Sequence, residues 1–475
     1  MRSHTRNRHM TKLRLALLGF AAFTSTANAQ TTAPISVRYR EAADKIIATS
    51  LADSFAYDRL ARLTDTFGHR LSGSESLERA IDWIMSEMRA DGLQNVHGEK
   101  VMVPHWVRGQ ESATLLSPRR YALHMIGLGR SVGTPRSGIT APVLVVSSYA
   151  DLAARGAEVK GKIVLFNVPF TGYGQTVRYR SAGADSASRL GARAILLRSV
   201  SSGSMQNPHT GSMSYDSTGT IRKIPGAAIS VEDAMMLARM AARGEKLVVT
   251  LKMEARMLPD APSRNVIAEL VGSEKPDEVV VLGGHIDSWD VGQGAMDDGG
   301  GSVAAWEAVR LIKRLGLKPR RTLRVVLWTN EENGLRGGNG YRDAHRNELD
   351  KHMLAMESDG GVFKPLGFGA STTPEGMKMF ADMASLLEPI KATRITEGGA
   401  DADNGPIVAL GVPGLSLNVD GSKYFWYHHS AADMMDKLDP REMAECVAAM
   451  AVMAYITADM PETIPRNPPV SARRR

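Results

Sequence analysis

The sequence predicts an α/β protein whose central sheet is mixed but mostly parallel, flanked by helices and interrupted by a β-rich insert. Three observations carry that expectation. The aliphatic run at residues 279–282 has the length and β-branched content of a buried strand, and residues 321–328, 353–357 and 415–419 read as further strands. Stretches with helical spacing separate them, the alternation that a parallel sheet with helical crossovers requires. Between about residues 118 and 262 the texture changes to short β-rich runs punctuated by Gly, Pro and Ser. At 475 residues the chain exceeds one ordinary domain, so two or three are expected.

Composition narrows the class. Apolar residues make up 43% and charged residues 23%, which describes a globular chain and not a disordered one. The formal charge is 58 − 51 = +7, and part of the excess sits in the two ends, so no nucleic-acid partner is expected. A single cysteine, Cys446, excludes an intrachain disulfide and a cysteine-rich zinc site. It lies in an apolar helical pattern and should be buried and inert. Residues 1–29 read as a secretory signal, with basic residues, an apolar run at 15–23 and then Ala27-Asn28-Ala29, an A-x-A cleavage site. A periplasmic or secreted protein is expected. No other stretch approaches the roughly 20 apolar residues of a membrane span, so no anchor is expected.

Residues 30–117 form the first part of the main domain. Ala43, Ile46 and Ile47 carry helical spacing within residues 36–52. Leu77, Ala80, Ile81, Ile84 and Met88 share one helical face, with serines before it and Gly92 after it. Ser72, Gly73 and Ser74 either cap that helix or line a pocket, and capping is the expectation. The insert, residues 118–262, holds runs at 143–146, 163–166, 194–197 and 247–251. Its Val159-Lys160-Gly161-Lys162-Ile163-Val164-Leu165 and Gly191-Ala192-Arg193-Ala194-Ile195 resemble the protease-associated domain, a small β-rich insert. His209 stands alone in a polar loop, residues 201–217, and reads as a solvated loop residue, in a loop long enough for a lid. Residues 263–460 form the second part of the main domain. After Gly299-Gly300-Gly301 an amphipathic helix carries Ala304, Ala308, Leu311 and Leu315. Further helices are expected around Phe380 and from Pro440. The Pro-rich, basic tail, residues 461–475, is expected to be disordered.

The residues that carry chemistry follow the strands. His285 and Asp287 come just after the first run, with Asp297-Asp298 closing the same loop. Glu331-Glu332 follows the second run, Asp359 the third, and His428-His429 follows the fourth through the aromatic run Tyr424-Phe425-Trp426-Tyr427. Alone, each has an ordinary explanation, since Asp-Gly is usually a turn and a single His a hydrogen-bonded structural residue. Together they fall at one end of the expected sheet, where α/β folds bind ligands. A set of His, Asp, Glu, Asp and His suits two divalent ions sharing one carboxylate. The ions bring about +4 and three carboxylates about −3, leaving roughly one positive charge for a hydroxide to neutralise. Glu331 is then free to act as a base.

HIDSWDVGQGAMDDGGG, NEENGLRGG, ESDGG and YHHSAAD together resemble the co-catalytic zinc exopeptidase family of the bacterial leucyl aminopeptidases and glutamate carboxypeptidases, over about residues 36–460. The resemblance implies the zinc exopeptidase fold and two zinc ions, although cobalt or manganese also suits such donors. It implies that His285 and Asp359 hold one ion, that Glu332 and His429 hold the other, and that Asp297 bridges them. Glu331 would be the general acid/base acting with a metal-bridged hydroxide, and Asp287 would orient the His285 imidazole. The Asp297–Asp298 peptide would be cis. Successive residues of an extended segment point oppositely, so only one of His428 and His429 should face the metals. His429 precedes Ser430 and matches the family's His-Ser/Thr pattern. Asp403 stands where relatives often have a Ser-Asp pair, but Ala402 replaces the Ser, and a loop turn and a site role both stay open. The implied activity is hydrolysis of dipeptides or short peptides with free ends, by a homodimer. The alternatives are an aminopeptidase acting on longer peptides, a single-zinc enzyme like the glutaminyl cyclases, and a non-catalytic binding protein.

Overall fold

The computed structural model describes residues 33–470. The secretory reading of residues 1–29 and the closing Arg473-Arg474-Arg475 lie outside the described residues. Eight strands form the main sheet, in the spatial order Gln94–Val107, Arg256–Leu270, Arg321–Trp328, Lys275–His285, His352–Glu357, Gly414–Val419, Pro365–Ser371 and Arg394–Glu397. The four strands foreseen from the sequence sit side by side in the middle and run parallel. The flanking pairs bring in the antiparallel contacts.

The aliphatic run at 279–282 is continuous because both faces of its strand are covered. Val280 and Leu282 join the core built with helices Ile35–Leu51, Glu75–Ala90, Gly300–Arg314 and Pro440–Asp459. Val279 and Val281 point the other way, towards Trp328, Tyr341 and Ile407. Helix Gly300–Arg314 is more deeply set than an amphipathic stripe predicts, since all of residues 300–309 are buried. Helix Pro440–Asp459 packs against it and against the sheet, and is itself buried throughout 443–458. Glu307, caught in this layer, is held by Arg59 and Arg310. Cys446 is buried, and its thiol donates to the Phe363 carbonyl.

Ser74 caps helix Glu75–Ala90, its hydroxyl accepting from the Leu77 N–H at 3.2 Å. Ser74→Ala should therefore lower stability by about 1 kcal/mol, read as a lower urea midpoint with an unchanged slope.

The expected disordered tail needs correction for its described part. Ile464 is buried. Arg466 donates to the carbonyls of Leu349, Asp350 and His352 at 2.7, 2.7 and 2.6 Å. One guanidinium satisfies three backbone acceptors beside the start of a core strand, which composition cannot foretell.

A second eight-stranded sheet runs in the order Tyr121–Leu123, Glu111–Ser117, Val248–Met253, Ile139–Val146, Ile163–Phe166, Ala194–Arg198, Gly226–Ile229 and Met125–Gly127. It starts at Glu111, ahead of the expected boundary at 118. It ends at Met253, because Arg256–Leu270 returns to the main sheet as the partner of Gln94–Val107. It is also less purely β-rich than expected. Its central strands are parallel, and helices Tyr173–Arg189 and Val231–Ala242 pack on them. No helix among the described residues is long and apolar enough to cross a membrane.

Candidate metal centre

Strand Lys275–His285 delivers His285 at the C-terminal edge of the main sheet, and the loop beyond it folds back on that strand. Asp298 makes the fold-back. Its carboxylate accepts from the His285 N–H at 3.0 Å and from the Gly301 N–H at 3.1 Å. A Cβ on Gly284 would lie 2.3 Å from the Asp298 carboxylate, so only glycine admits this approach. The Asp297–Asp298 peptide is cis. From the far side, Asp433 accepts from the N–H groups of Met296 and Asp297 at 2.7 and 3.2 Å.

These constraints hold the Asp297 carboxylate between two groups of side chains. Its Oδ1 lies 3.2 Å from His285 Nε2, which is also 3.3 Å from Asp359 Oδ1. Its Oδ2 lies 3.3 Å from His429 Nε2, which is 2.9 Å from Glu332 Oε2. His285, Asp297, Glu332 and His429 are all buried, and Asp359 is nearly so. The structure thus brings together all five residues singled out as metal ligands. Glu331 lines the same cavity, a space of about 310 Å³ whose other walls include Tyr173, Arg180, Ser212, Tyr424 and Phe425.

His285 shows what the centre is suited to hold. Its Nδ1 is 3.0 Å from the Asp287 carbonyl oxygen, which can only accept, so Nδ1 carries the hydrogen. In the neutral ring the Nε2 lone pair then faces two carboxylate oxygens. Acceptors converge in this way only around a proton or a cation. Asp297 Oδ2 and Glu332 Oε1 are buried with no hydrogen-bond partner among the described residues, a debt that a cation would discharge.

The protein's own electrostatics point the same way. Burial opposes protonation of His285, yet Asp359, Asp297 and Asp298 outweigh it and hold the imidazole pKa well above its usual value. Burial likewise opposes charge on His429, but Glu332 and Asp297 raise its pKa to about 10. Burial pushes Asp359 up to about 7, with Asp297 adding to the shift and His285 opposing it. Glu331 is pushed well above the carboxylate range by burial and by Asp359 and Glu332, against His285. Negative groups crowd here, and the imidazoles are drawn into the role of counter-ions.

Asp287 acts differently from the expectation. The His285 ring contacts its carbonyl, while the carboxylate stands 3.7 Å from Nδ1. That carboxylate instead accepts from the Glu331 N–H at 3.0 Å and from the Ser72 hydroxyl at 3.1 Å. Ser72 is therefore part of the wall behind Glu331, and Ser74 alone is the cap. Asp403 is buried outside the cavity lining. It accepts from the Gly338 N–H at 3.1 Å, while its own N–H donates to Glu357.

Two expectations about histidines are corrected. His428 and His429 do not point oppositely. Their rings stack at 3.5 Å, and both Nε2 atoms face Asp297 Oδ2, at 3.6 and 3.3 Å. The cause is the left-handed backbone at His429, φ +60°, which breaks the two-residue alternation of an extended segment. His209 is no solvated loop residue. It is buried, with Nδ1 2.6 Å from the His428 carbonyl. Arg180, Tyr173 and Ser212 carry no sequence signal for this site, because they come from the second sheet's unit, far away in sequence. Asp433 closes the YHHSAAD motif, and its role in bracing the Asp297 backbone is visible only in the fold.

The profile of Peptidase family M28 matches residues 265–454. Carboxypeptidase Q of Xenopus laevis is 49% identical over 90% of this chain and 92% of its own length. Carboxypeptidase Q of Homo sapiens is 48% identical over 88% of each. Among solved structures, a peptidase M28 precursor from Shewanella amazonensis has a TM-score of 0.87 at 35% identity, covering 90% of this chain and 99% of that one. BSAP, a zinc aminopeptidase from Bacillus subtilis, shares the fold with a TM-score of 0.64 at 20% identity, covering 86% and 95%.

Proposed function

Because the chain belongs to Peptidase family M28, we propose that it is a two-zinc exopeptidase hydrolysing dipeptides or short peptides. The observation that carries the proposal is the Asp297 carboxylate, whose two oxygens face two separate groups of donor atoms. His285 and Asp359 would hold one ion, Glu332 and His429 the other, and Asp297 would serve both. Donors about 2.0–2.1 Å from a tetrahedral zinc lie about 3.3 Å apart. The spacings here are 3.2 and 3.3 Å in one group and 3.3 and 2.9 Å in the other. Cobalt or manganese would suit the same mixed donors.

Ions bound there supply polarisation of the scissile carbonyl and a lowered pKa for water. The chain supplies the proton transfer and the positioning. Glu331, held well above the usual carboxylate pKa by burial, takes the proton from the attacking water and delivers it to the leaving amine. Asp287 and Ser72 hold the Glu331 backbone in place. The cavity, at about 310 Å³, sits at the small end of ligand sites, roughly 300–1,000 Å³. That size and the aromatic walls of Tyr173, Tyr424 and Phe425 support short substrates. Similarity to carboxypeptidase Q supports substrates with a free carboxyl terminus. The signal-like pattern of residues 1–29 supports export.

Digestion of a peptide library by the zinc-loaded protein tests this reading. Dipeptides with free ends should be cleaved fastest, and blocking an end should slow cleavage. Cutting confined to internal bonds of end-blocked peptides would overturn it. Metal analysis should find two ions per chain, and a single tight ion would favour the cyclase-like alternative.

A further inference from the structure

His429 adopts a left-handed conformation, which is unfavourable for a residue with a side chain. Such a backbone persists where its surroundings over-determine it. The turn is closed within its own chain by the Ser430 N–H on the Tyr427 carbonyl at 3.1 Å. The second sheet's unit holds it from outside, where Arg180 Nη1 also stands 3.3 Å from His429 Nδ1. The two carbonyls that flank the strained rotation are both taken by that unit's loop at residues 201–217. His209 Nδ1 donates to the His428 carbonyl at 2.6 Å, and the Thr210 N–H donates to the His429 carbonyl at 2.8 Å. On the next residue, Asn207 Nδ2 donates to Ser430 Oγ at 2.7 Å. Three hydrogen bonds thus fasten three consecutive residues.

His209 is suited to this part. It is buried, and its only polar contact among the described residues that reaches the 428–430 turn is the Nδ1 hydrogen bond, so the ring's place in the fold is spent on that carbonyl. Removing the donor would leave the His428 carbonyl free to turn, and with it the peptide plane that sets the direction of the His429 ring.

We propose that His209 is a positioning residue for His429, so that the second sheet's unit sets the affinity of the Glu332/His429 cation site and not only the shape of the cavity. The proposal rests on His429 being a metal ligand, as read above.

Zinc titration of the metal-free full-length protein against a chromophoric chelator tests it, with the two sites of the proposed centre read as two steps. His209→Ala should weaken one step by about 10–100-fold and leave the other unchanged. His209→Asn, whose amide nitrogen can stand where Nδ1 stood, should restore it. Leu237→Ala, in the second sheet's own core, should lower the melting temperature without moving either step. If His209→Ala does not fold, Asn207→Ala reads the same step with a milder change. The proposal is overturned if folded His209→Ala, or Asn207→Ala in its place, binds both ions like the wild type, or if Leu237→Ala produces the same shift. His429→Ala separates the two readings. If it keeps both steps, the ligand assignment fails, and if it loses one while His209→Ala loses none, only the positioning role fails.

Discussion

Glu331→Gln should slow peptide hydrolysis by roughly 100- to 10,000-fold while leaving both zinc-binding steps in place. The substitution keeps the side chain's size and hydrogen-bonding shape but removes its ability to accept a proton. The backbone anchor to Asp287 is a main-chain N–H and survives the change. The loss should therefore fall on kcat, with KM little altered, because the group is required in the transition state and not for holding the substrate. A drop below about tenfold would mean that another group carries the proton. Loss of zinc together with activity would make Glu331 a ligand and force the assignment to be redrawn.

Asp297→Ala should be more drastic, abolishing activity and weakening both binding steps together. Its two oxygens face both donor groups, so no single-site compensation exists. Asp359→Ala and Glu332→Ala should each weaken one step only. Thermal melts give a second readout. A ligand at 1,000 times its Kd stabilises the folded state by about 4 kcal/mol, so zinc should raise the melting temperature of the wild type and leave Asp297→Ala unmoved. If Asp297→Ala lost only one binding step, the carboxylate would belong to one ion and the shared-ligand reading would fall.

The middle of the main sheet was legible because strands buried on both faces carry unbroken apolar runs, as residues 279–282 and 325–328 do. The candidate ligands were legible because each follows such a strand. Strand Gln94–Val107 was not, since it lies at the sheet's edge, is half-exposed along most of its length, and mixes polar with apolar residues. Helix Tyr173–Arg189 hid for another reason. It packs through Gly183, Ala184 and Ala187, residues too small to mark a hydrophobic period. His209 and Arg466 escaped because their partners are distant carbonyls, and a carbonyl leaves no trace in a sequence. The orientation of His428 and His429 turned on one backbone angle that side-chain identity does not encode.

The pairing of Gln94–Val107 with Arg256–Leu270 has an evolutionary corollary. Val107 and Arg256 lie opposite each other in register, so the whole intervening unit leaves and re-enters at neighbouring points, as the tip of a hairpin does. Ancestral chains could gain or shed such a module without rethreading a single strand of the main sheet.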